Sequence, residues 1–416
     1  MAETRITWPR RTVLAALGAA GTGSIVGQGS VGSTADEPSR SEDSFVSHGI
    51  ERIEDLFEHH LELGLHHGAQ LAVYRGDELV VDLAGGTLGP EREAVTPDSR
   101  FLLFSCTKPY AAACLHHLAD RGRLDFDDRV VDHWPAFAAE GTGKASTTVR
   151  HVLTHQAGLP ETPADDRPEI WDDPDSLAGS MEAVDPEFPP GSTAQYHTLS
   201  FGWLTGELVR QVTGQRIDEY ACEHVFEPLG MDRTHIGLPD DEPHDVATLT
   251  GFDASDTLVE TDVSIGSTNQ EVAETFNQES IRRSLVPGAN GVGPARELAR
   301  FYACYLNGGG LDGTRLLGPE TVEEAPSVQV EVEPDETVGS GQRYGLGFQL
   351  GGALPDRHGI GAPLANYGHA GLGSSISWAD PEADIAFAYV TNGIRDDFQN
   401  NARMAVMGET VRRELA

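Results

Sequence analysis

Ser105 and Lys108 stand three residues apart in LFSCTKPYAAACLHHLADRG, a segment that starts at Leu103. On a helix that spacing sets both side chains on one face, within reach of each other. A serine hydroxyl is a poor nucleophile until a base takes its proton. Lysine can be that base when its amine is partly neutral, and burial together with the positive end of a helix dipole pushes its pKa that way. Arginine stays protonated and cannot replace it. Composition sets this lysine apart, because Lys108 and Lys144 are the only lysines among 29 basic residues. The same helix start offers the Ser105 backbone N–H to a developing oxyanion. Taken alone, S-x-x-K is equally a surface lysine beside a capping serine.

Two later segments supply the groups such a pair needs. In FPPGSTAQYHTLSFGWLTGELVRQVTG, Tyr196 falls in a loop between Pro189-Pro190-Gly191 and an amphipathic helix. A phenol close to a lysine cation is expected to have a lowered pKa and to relay a proton to a leaving group. Read alone, the same tyrosine is core packing. In NYGHAGLGSSISWAD, His369-Ala370-Gly371 is expected at the start of a strand. Glycine there lets backbone approach a ligand closely, and a strand N–H can be a second oxyanion donor. Read alone, this is a glycine-rich turn.

In this order the three segments resemble the active-site serine family of β-lactamases, penicillin-binding proteins and related esterases. Ser105-x-x-Lys108 matches its first motif. Tyr196-His197-Thr198 stands where the family has Tyr-x-Asn or a variant, and His369-Ala370-Gly371 where it has Lys-Thr-Gly or His-x-Gly. VRHVLTHQAGLP and VPGANGVGPARELARFYACYLNGG extend the likeness over nearly all of residues 46–416. The resemblance implies an α/β (α+β) fold of the β-lactamase/transpeptidase type, an antiparallel sheet flanked by helices with an inserted all-helical lobe. It further implies that Ser105 is acylated and that Lys108 and Tyr196 share proton transfer. The backbone N–H groups of Ser105 and Leu372 would hold the oxyanion, and Thr198, His369, Ala370 and Gly371 would bind substrate.

Two departures bear on the substrate. Thr198 replaces the amide that in lactamases helps hold an acylamino side chain, and His369 replaces a lysine that helps recognise a carboxylate. Histidine is mostly neutral at pH 7, which weakens anion recognition. Both changes point away from efficient β-lactam turnover and toward the esterase branch called family VIII carboxylesterases. The expected reaction is hydrolysis of a small-molecule carboxylic ester through a Ser105 acyl-enzyme, with no cofactor and no metal. The alternatives are a D-amino peptidase or β-lactamase acting on amide or lactam bonds, and a non-catalytic penicillin-binding-like protein. No G-x-S-x-G occurs, which argues against an α/β-hydrolase.

These groups need a scaffold that gathers them. Residues 1–35 read as a twin-arginine signal, with Arg10–Arg11 before a weakly apolar Ala/Gly/Leu run, and 36–45 as a polar linker. Ile50, Ile53, Leu56, Phe57 and Leu61 mark an amphipathic helix. AQLAVYRGDELVVDLAGG reads as a hairpin about Arg75-Gly76-Asp77-Glu78. CTKPYAAACLHHLADRG reads as a helix ending at Gly122, with Pro109 tolerated in its first turns. Residues 126–286 show no strand alternation and form the expected helical lobe. After it come the helix PARELARFYACYLNGG, the strand-like RYGLGFQLGG, a hairpin turning at Asp380-Pro381, and a closing helix, FQNNARMAVMGETVRREL. The sheet domain is therefore expected from 46–125 and 287–416.

Composition narrows the partners. Sixty-six acidic against 29 basic residues give a formal charge of −37, which argues against nucleic acid and against docking on anionic lipid. The acidic residues are spread through the chain, and lysine is nearly absent, a pattern expected of a surface adapted to high salt. No segment beyond the signal has the roughly 18 apolar residues of a membrane span. The mature chain is therefore expected to be exported folded by the twin-arginine machinery, without membrane insertion. Cys106, Cys114, Cys222 and Cys304 stand far apart, so no disulfide framework or structural metal is expected. His59, His60, His66 and His67 read as a solvated helix face, His155 as a structural residue of a cleft-lining loop, and Lys144 in GTGKAS as a surface turn.

Overall fold

Gly68–Arg75 reads GAQLAVYR, and seven of its eight residues are buried. An apolar run without alternation suits a strand covered on both faces. The computed structural model describes residues 42–138, 143–243, 245–252, 268–353, 356 and 359–416. The Arg10–Arg11 pair and the run expected to form an export signal lie outside these residues.

In chain order, α1 (Glu42–Glu62) leads into β1 (Gly68–Arg75), β2 (Glu78–Gly86), β3 (Phe101–Leu102) and α2 (Lys108–Asp120). α3 (Ser200–Thr213) and β4 (His235–Ile236) follow. Next come β5 (Gly291–Gly293), α4 (Ala295–Leu306), β6 (Val330–Asp335), β7 (Ser340–Tyr344) and β8 (Gln349–Leu350). β9 (Tyr367–Gly371), β10 (Ser375–Asp380), β11 (Ile385–Thr391) and α5 (Asp397–Leu415) complete the fold. Eight strands form one sheet in the order β2-β1-β11-β10-β9-β8-β7-β6, every pair antiparallel. Leu71, Val73, Ile376, Trp378 and Phe387 face α1 and α5, packing on Ile53, Phe57, Met404 and Met407. Ala72, Tyr74, Ala386 and Val390 belong to the opposite core, with α2 and α4. Each fully buried Leu, Ile, Val or Phe contributes about 1.5–3 kcal/mol before ordering entropy is set against it.

The expected fold class is the observed one, with local differences. α1 starts at Glu42, so the last four residues of the expected linker are helical. The span expected to be all-helical holds two short strands, β4 and Thr250–Gly251, which pair with β5 and Gly393–Ile394 respectively. Two residues are too few to show alternation. RYGLGFQLGG splits between β7 and β8, and β6, not anticipated, extends the sheet beyond them.

Of the four histidines only His59, exposed on α1, fits a solvated face; His67 is half-buried, and His60 and His66 are not solvated. The helix ends at Glu62, His60 Nδ1 is 3.1 Å from Tyr389 Oη, and His66 Nδ1 is 3.3 Å from Arg403 Nη1, both rings buried. Lys144 is buried too, and donates to the carbonyls of Met181 (2.5 Å) and Glu182 (2.9 Å). Those carbonyls end helix Pro174–Ala183, where the last C=O groups lack helical partners.

Candidate active site

Ser105 opens a 3₁₀ turn, Ser105–Thr107, that runs directly into α2, with Pro109 in the helix's first positions. Phe104 before it has φ 45° and ψ −132°, a backbone state that costs a non-glycine residue about 1–3 kcal/mol. Bonds on both sides hold it there. Leu103 N–H donates to Gly291 O (2.8 Å), and Thr107 Oγ1 donates to Phe104 O (2.5 Å) while accepting from Gly291 N–H (2.8 Å). The chain thus bends sharply between β3 and the turn. Ser105 emerges half-buried while its neighbours Phe104, Cys106 and Thr107 are buried.

Lys108 is fully buried, with Nζ 3.1 Å from Ser105 Oγ. It donates to the carbonyls of Thr198 and Gly288, each at 2.8 Å. Gly288 comes this close because Gly202 on α3 has no side chain: a Cβ there would lie 2.2 Å from Gly288 N. Burial lowers the Lys108 pKa to about 7, against the opposing pull of Cys106 and Asp165. A neutral amine has two N–H groups and one lone pair. With both N–H groups on carbonyls, the lone pair is left to accept from the Ser105 hydroxyl. The geometry thus aims the Lys108 lone pair at the Ser105 hydroxyl.

Tyr196 reaches the same place from the loop before α3. Its buried ring lies 4.8 Å, centroid to Nζ, from Lys108, and its phenol hydrogen-bonds the Ser105 hydroxyl. The expected lowering of its pKa is not found. Burial pushes the phenol well above its ordinary value, and the neighbouring Ser105 side chain offsets only part of that. Tyr196 therefore carries its proton at neutral pH. The loop is fixed by histidines. His197 Nδ1–H donates to Gln195 O (2.6 Å), and its Nε2 accepts from Leu159 N–H (3.1 Å). His155, at φ 60°, accepts the His197 N–H on Nδ1 (3.0 Å) and packs its ring 4.7 Å from Tyr196. His155 is thus a structural residue that holds the Tyr196 loop.

The third motif closes the other side, in a place that differs from expectation. His369-Ala370-Gly371 ends β9 instead of starting a strand, and Leu372 lies in the turn to β10. Cys106 Sγ donates to His369 O (3.0 Å) and Ser375 Oγ to Leu103 O (2.8 Å), tying this turn to the Ser105 segment. Gly371 admits no side chain, since a Cβ would lie 2.4 Å from Leu103 O. Arg403 Nη2, on α5, donates to Gly373 O (2.6 Å) and steadies the turn. His369 is buried, its ring 6.0 Å from that of Tyr196 and its Nδ1 2.8 Å from Ala370 O. Thr198, Ala370 and Leu372 are part-exposed around Ser105.

The structure therefore gathers Ser105, Lys108, Tyr196 and Thr198 and sets His369 and the Leu372 turn beside them. Sequence reasoning missed the two carbonyls that orient Lys108, because main-chain acceptors leave no residue signature. It also missed Asp335, whose strand was legible in the alternation of Val330 and Val332 with Glu331 and Glu333.

The Beta-lactamase family profile matches residues 53–408. The chain belongs to the beta-lactamase family. Within that family it is similar to Esterase/beta-lactamase LipL of Mycobacterium tuberculosis (strain ATCC 25618 / H37Rv), 35% identical over 342 residues, 78% of this chain and 77% of the relative. Among solved structures, a penicillin-binding protein homolog from Caulobacter crescentus superposes with a TM-score of 0.75 at 32% identity, over 88% of this chain and 98% of that one. A family VIII carboxylesterase superposes with a TM-score of 0.74 at 29% identity, over 87% and 97%. This beta-lactamase-family chain is a serine hydrolase by fold and kinship.

Proposed function

We propose that the protein hydrolyses small-molecule carboxylic esters through an acyl-enzyme on Ser105. The observation that carries this reading is the buried Lys108 amine, held by two carbonyls with Ser105 Oγ 3.1 Å away and its pKa lowered to about 7. Ser105 Oγ attacks the ester carbonyl carbon as its proton passes to Lys108. The backbone N–H groups of Ser105 and Leu372 stabilise the oxyanion. Tyr196, still protonated, gives its proton to the departing alkoxide and recovers one from Lys108. Water then attacks the acyl carbon, the proton transfers run in reverse, and a carboxylic acid leaves.

Esters are favoured over lactams by Thr198 and by His369, whose ring is buried against Tyr196 instead of presenting a cation to solvent. The names of LipL and of the family VIII carboxylesterase support the same class. Ser105→Ala and Lys108→Ala are expected to lower kcat on p-nitrophenyl acetate by at least about 10³-fold in molar salt. Near-wild-type turnover in either variant sinks the mechanism. The name of LipL also contains β-lactamase, so lactam cleavage is the second reading. A chromogenic cephalosporin turned over with higher kcat/KM than p-nitrophenyl acetate would establish it. Failure of a fluorophosphonate to label Ser105 in the folded protein would instead support a non-catalytic binding protein.

A further inference from the structure

Asp335 ends β6, is buried, and forms no ion pair among the described residues. A buried carboxylate without a cation is costly unless its lone pairs are filled. Here each oxygen takes two donors. Oδ1 accepts from the backbone N–H groups of Thr337 (2.9 Å) and Val338 (3.1 Å), which shapes the turn to β7. Oδ2 faces elsewhere. It accepts from the Tyr196 backbone N–H and from the Tyr344 hydroxyl, each at 2.8 Å. Tyr344 lies on β7, so three of the four donors belong to the hairpin itself. The fourth comes from 139 positions along the chain, from the residue whose phenol lies beside Ser105. Tyr344 adds a further hold, with its ring 4.8 Å from His155, which packs in turn on Tyr196. Ala194, Tyr196, Val338 and Tyr344 share one small apolar cluster, separate from the two larger cores.

We infer that Asp335 is a positioning residue for Tyr196, so that the β6–β7 hairpin holds the proton-transfer phenol against the nucleophile. The inference rests on the role proposed for Tyr196. Loss of the Oδ2 bonds lets the Tyr196 backbone drift, and a displacement of about 1 Å costs on the order of a hundredfold in a positioned reaction. Asp335 itself makes no bond to Ser105, Lys108 or Leu372, so the loss falls on kcat and not on KM.

The test is a double-mutant cycle on the full chain with p-nitrophenyl acetate, using Asp335→Asn, Tyr196→Phe and their combination. Asp335→Asn is expected to lower kcat about ten- to a hundredfold, with KM within about threefold of wild type. In the Tyr196→Phe background the same change is expected to cost nothing further, because the group it positions is already gone. A merely structural residue would slow both backgrounds equally, and that result overturns the inference. Wild-type kcat in Asp335→Asn overturns it as well. Wild-type kcat in Tyr196→Phe instead removes the role of Tyr196 from the proposed mechanism, whatever Asp335 does. If Asp335→Asn lacks a cooperative melt, Tyr344→Phe runs the same cycle by deleting one donor to Oδ2. There a severalfold loss of kcat, absent when Tyr196 is Phe, is expected, and an equal loss in both backgrounds overturns the inference.

Discussion

Lys108 is bonded to two carbonyls and a hydroxyl instead of a carboxylate, so its charge is stabilised by dipoles and by the weaker pull of Cys106 and Asp165. Burial then prevails and brings its pKa to about 7. In the proposed mechanism the neutral amine is the active form. kcat/KM on a neutral ester is therefore expected to rise with pH through about 7 and to level off above it, measured at constant ionic strength. A rise centred near the ordinary lysine value would show that Ser105 is activated by some other group. Lys108→Arg is expected to lose about 10²–10⁴-fold at every pH, since the guanidinium stays charged. Tyr196 follows the same logic with the opposite sign, because desolvation disfavours its phenolate and leaves it a proton donor. The lysine beside the phenol was legible in the sequence. The burial that outweighs the lysine's charge was not, since it depends on what packs over the ring.

At the scale of elements, the site is a meeting of three chain segments that arrive by different routes. The 3₁₀ turn into α2 brings Ser105, the loop before α3 brings the phenol and the Thr198 carbonyl, and the Pro287–Gly288 stretch brings the second carbonyl. Gly202 sets the spacing of the last two. A Cβ there would lie 2.2 Å from Gly288 N and 2.8 Å from Pro287 C, both main-chain atoms that cannot rotate away. Gly202→Ala is expected to destabilise the fold by about 1–3 kcal/mol and to lower kcat by drawing Gly288 O from Lys108. A thermal melt and steady-state kinetics check this together, and a variant unchanged in both would show that the loops yield freely. α1, α2, α4, α5 and the β1–β2 and β10–β11 hairpins were legible because their apolar periodicity is long and their turns carry glycine or proline. β4 and the placing of His369-Ala370-Gly371 at a strand's end were not. A two-residue strand is made by its distant partner, and the glycines that mark a strand's start mark its end equally well.

Across the whole molecule, a formal charge of −37 leaves carboxylates in large excess over the cations that could answer them. The arginines answer part of it through ion pairs, among them Arg233–Asp245 at 2.6 Å, Arg296–Asp82 at 2.6 Å and Arg150–Asp127 at 2.7 Å. Exposed pairs of this kind contribute about 0–1 kcal/mol each, too little to cancel the excess. Added salt screens the remaining repulsion more than it weakens these contacts. The melting temperature is therefore expected to rise from dilute buffer to molar potassium chloride, and a flat or falling curve in calorimetry would count against a surface built for salt. The two lysines take no part in that surface, because both are buried on main-chain carbonyls. To an amine-reactive reagent the folded protein should look like a molecule with no lysines. An N-hydroxysuccinimide ester should leave Lys108 and Lys144 unmarked in the folded protein, and two lysine labels per chain should appear only once the fold is lost. Mass spectrometry of the labelled protein would then serve as a counter of unfolding.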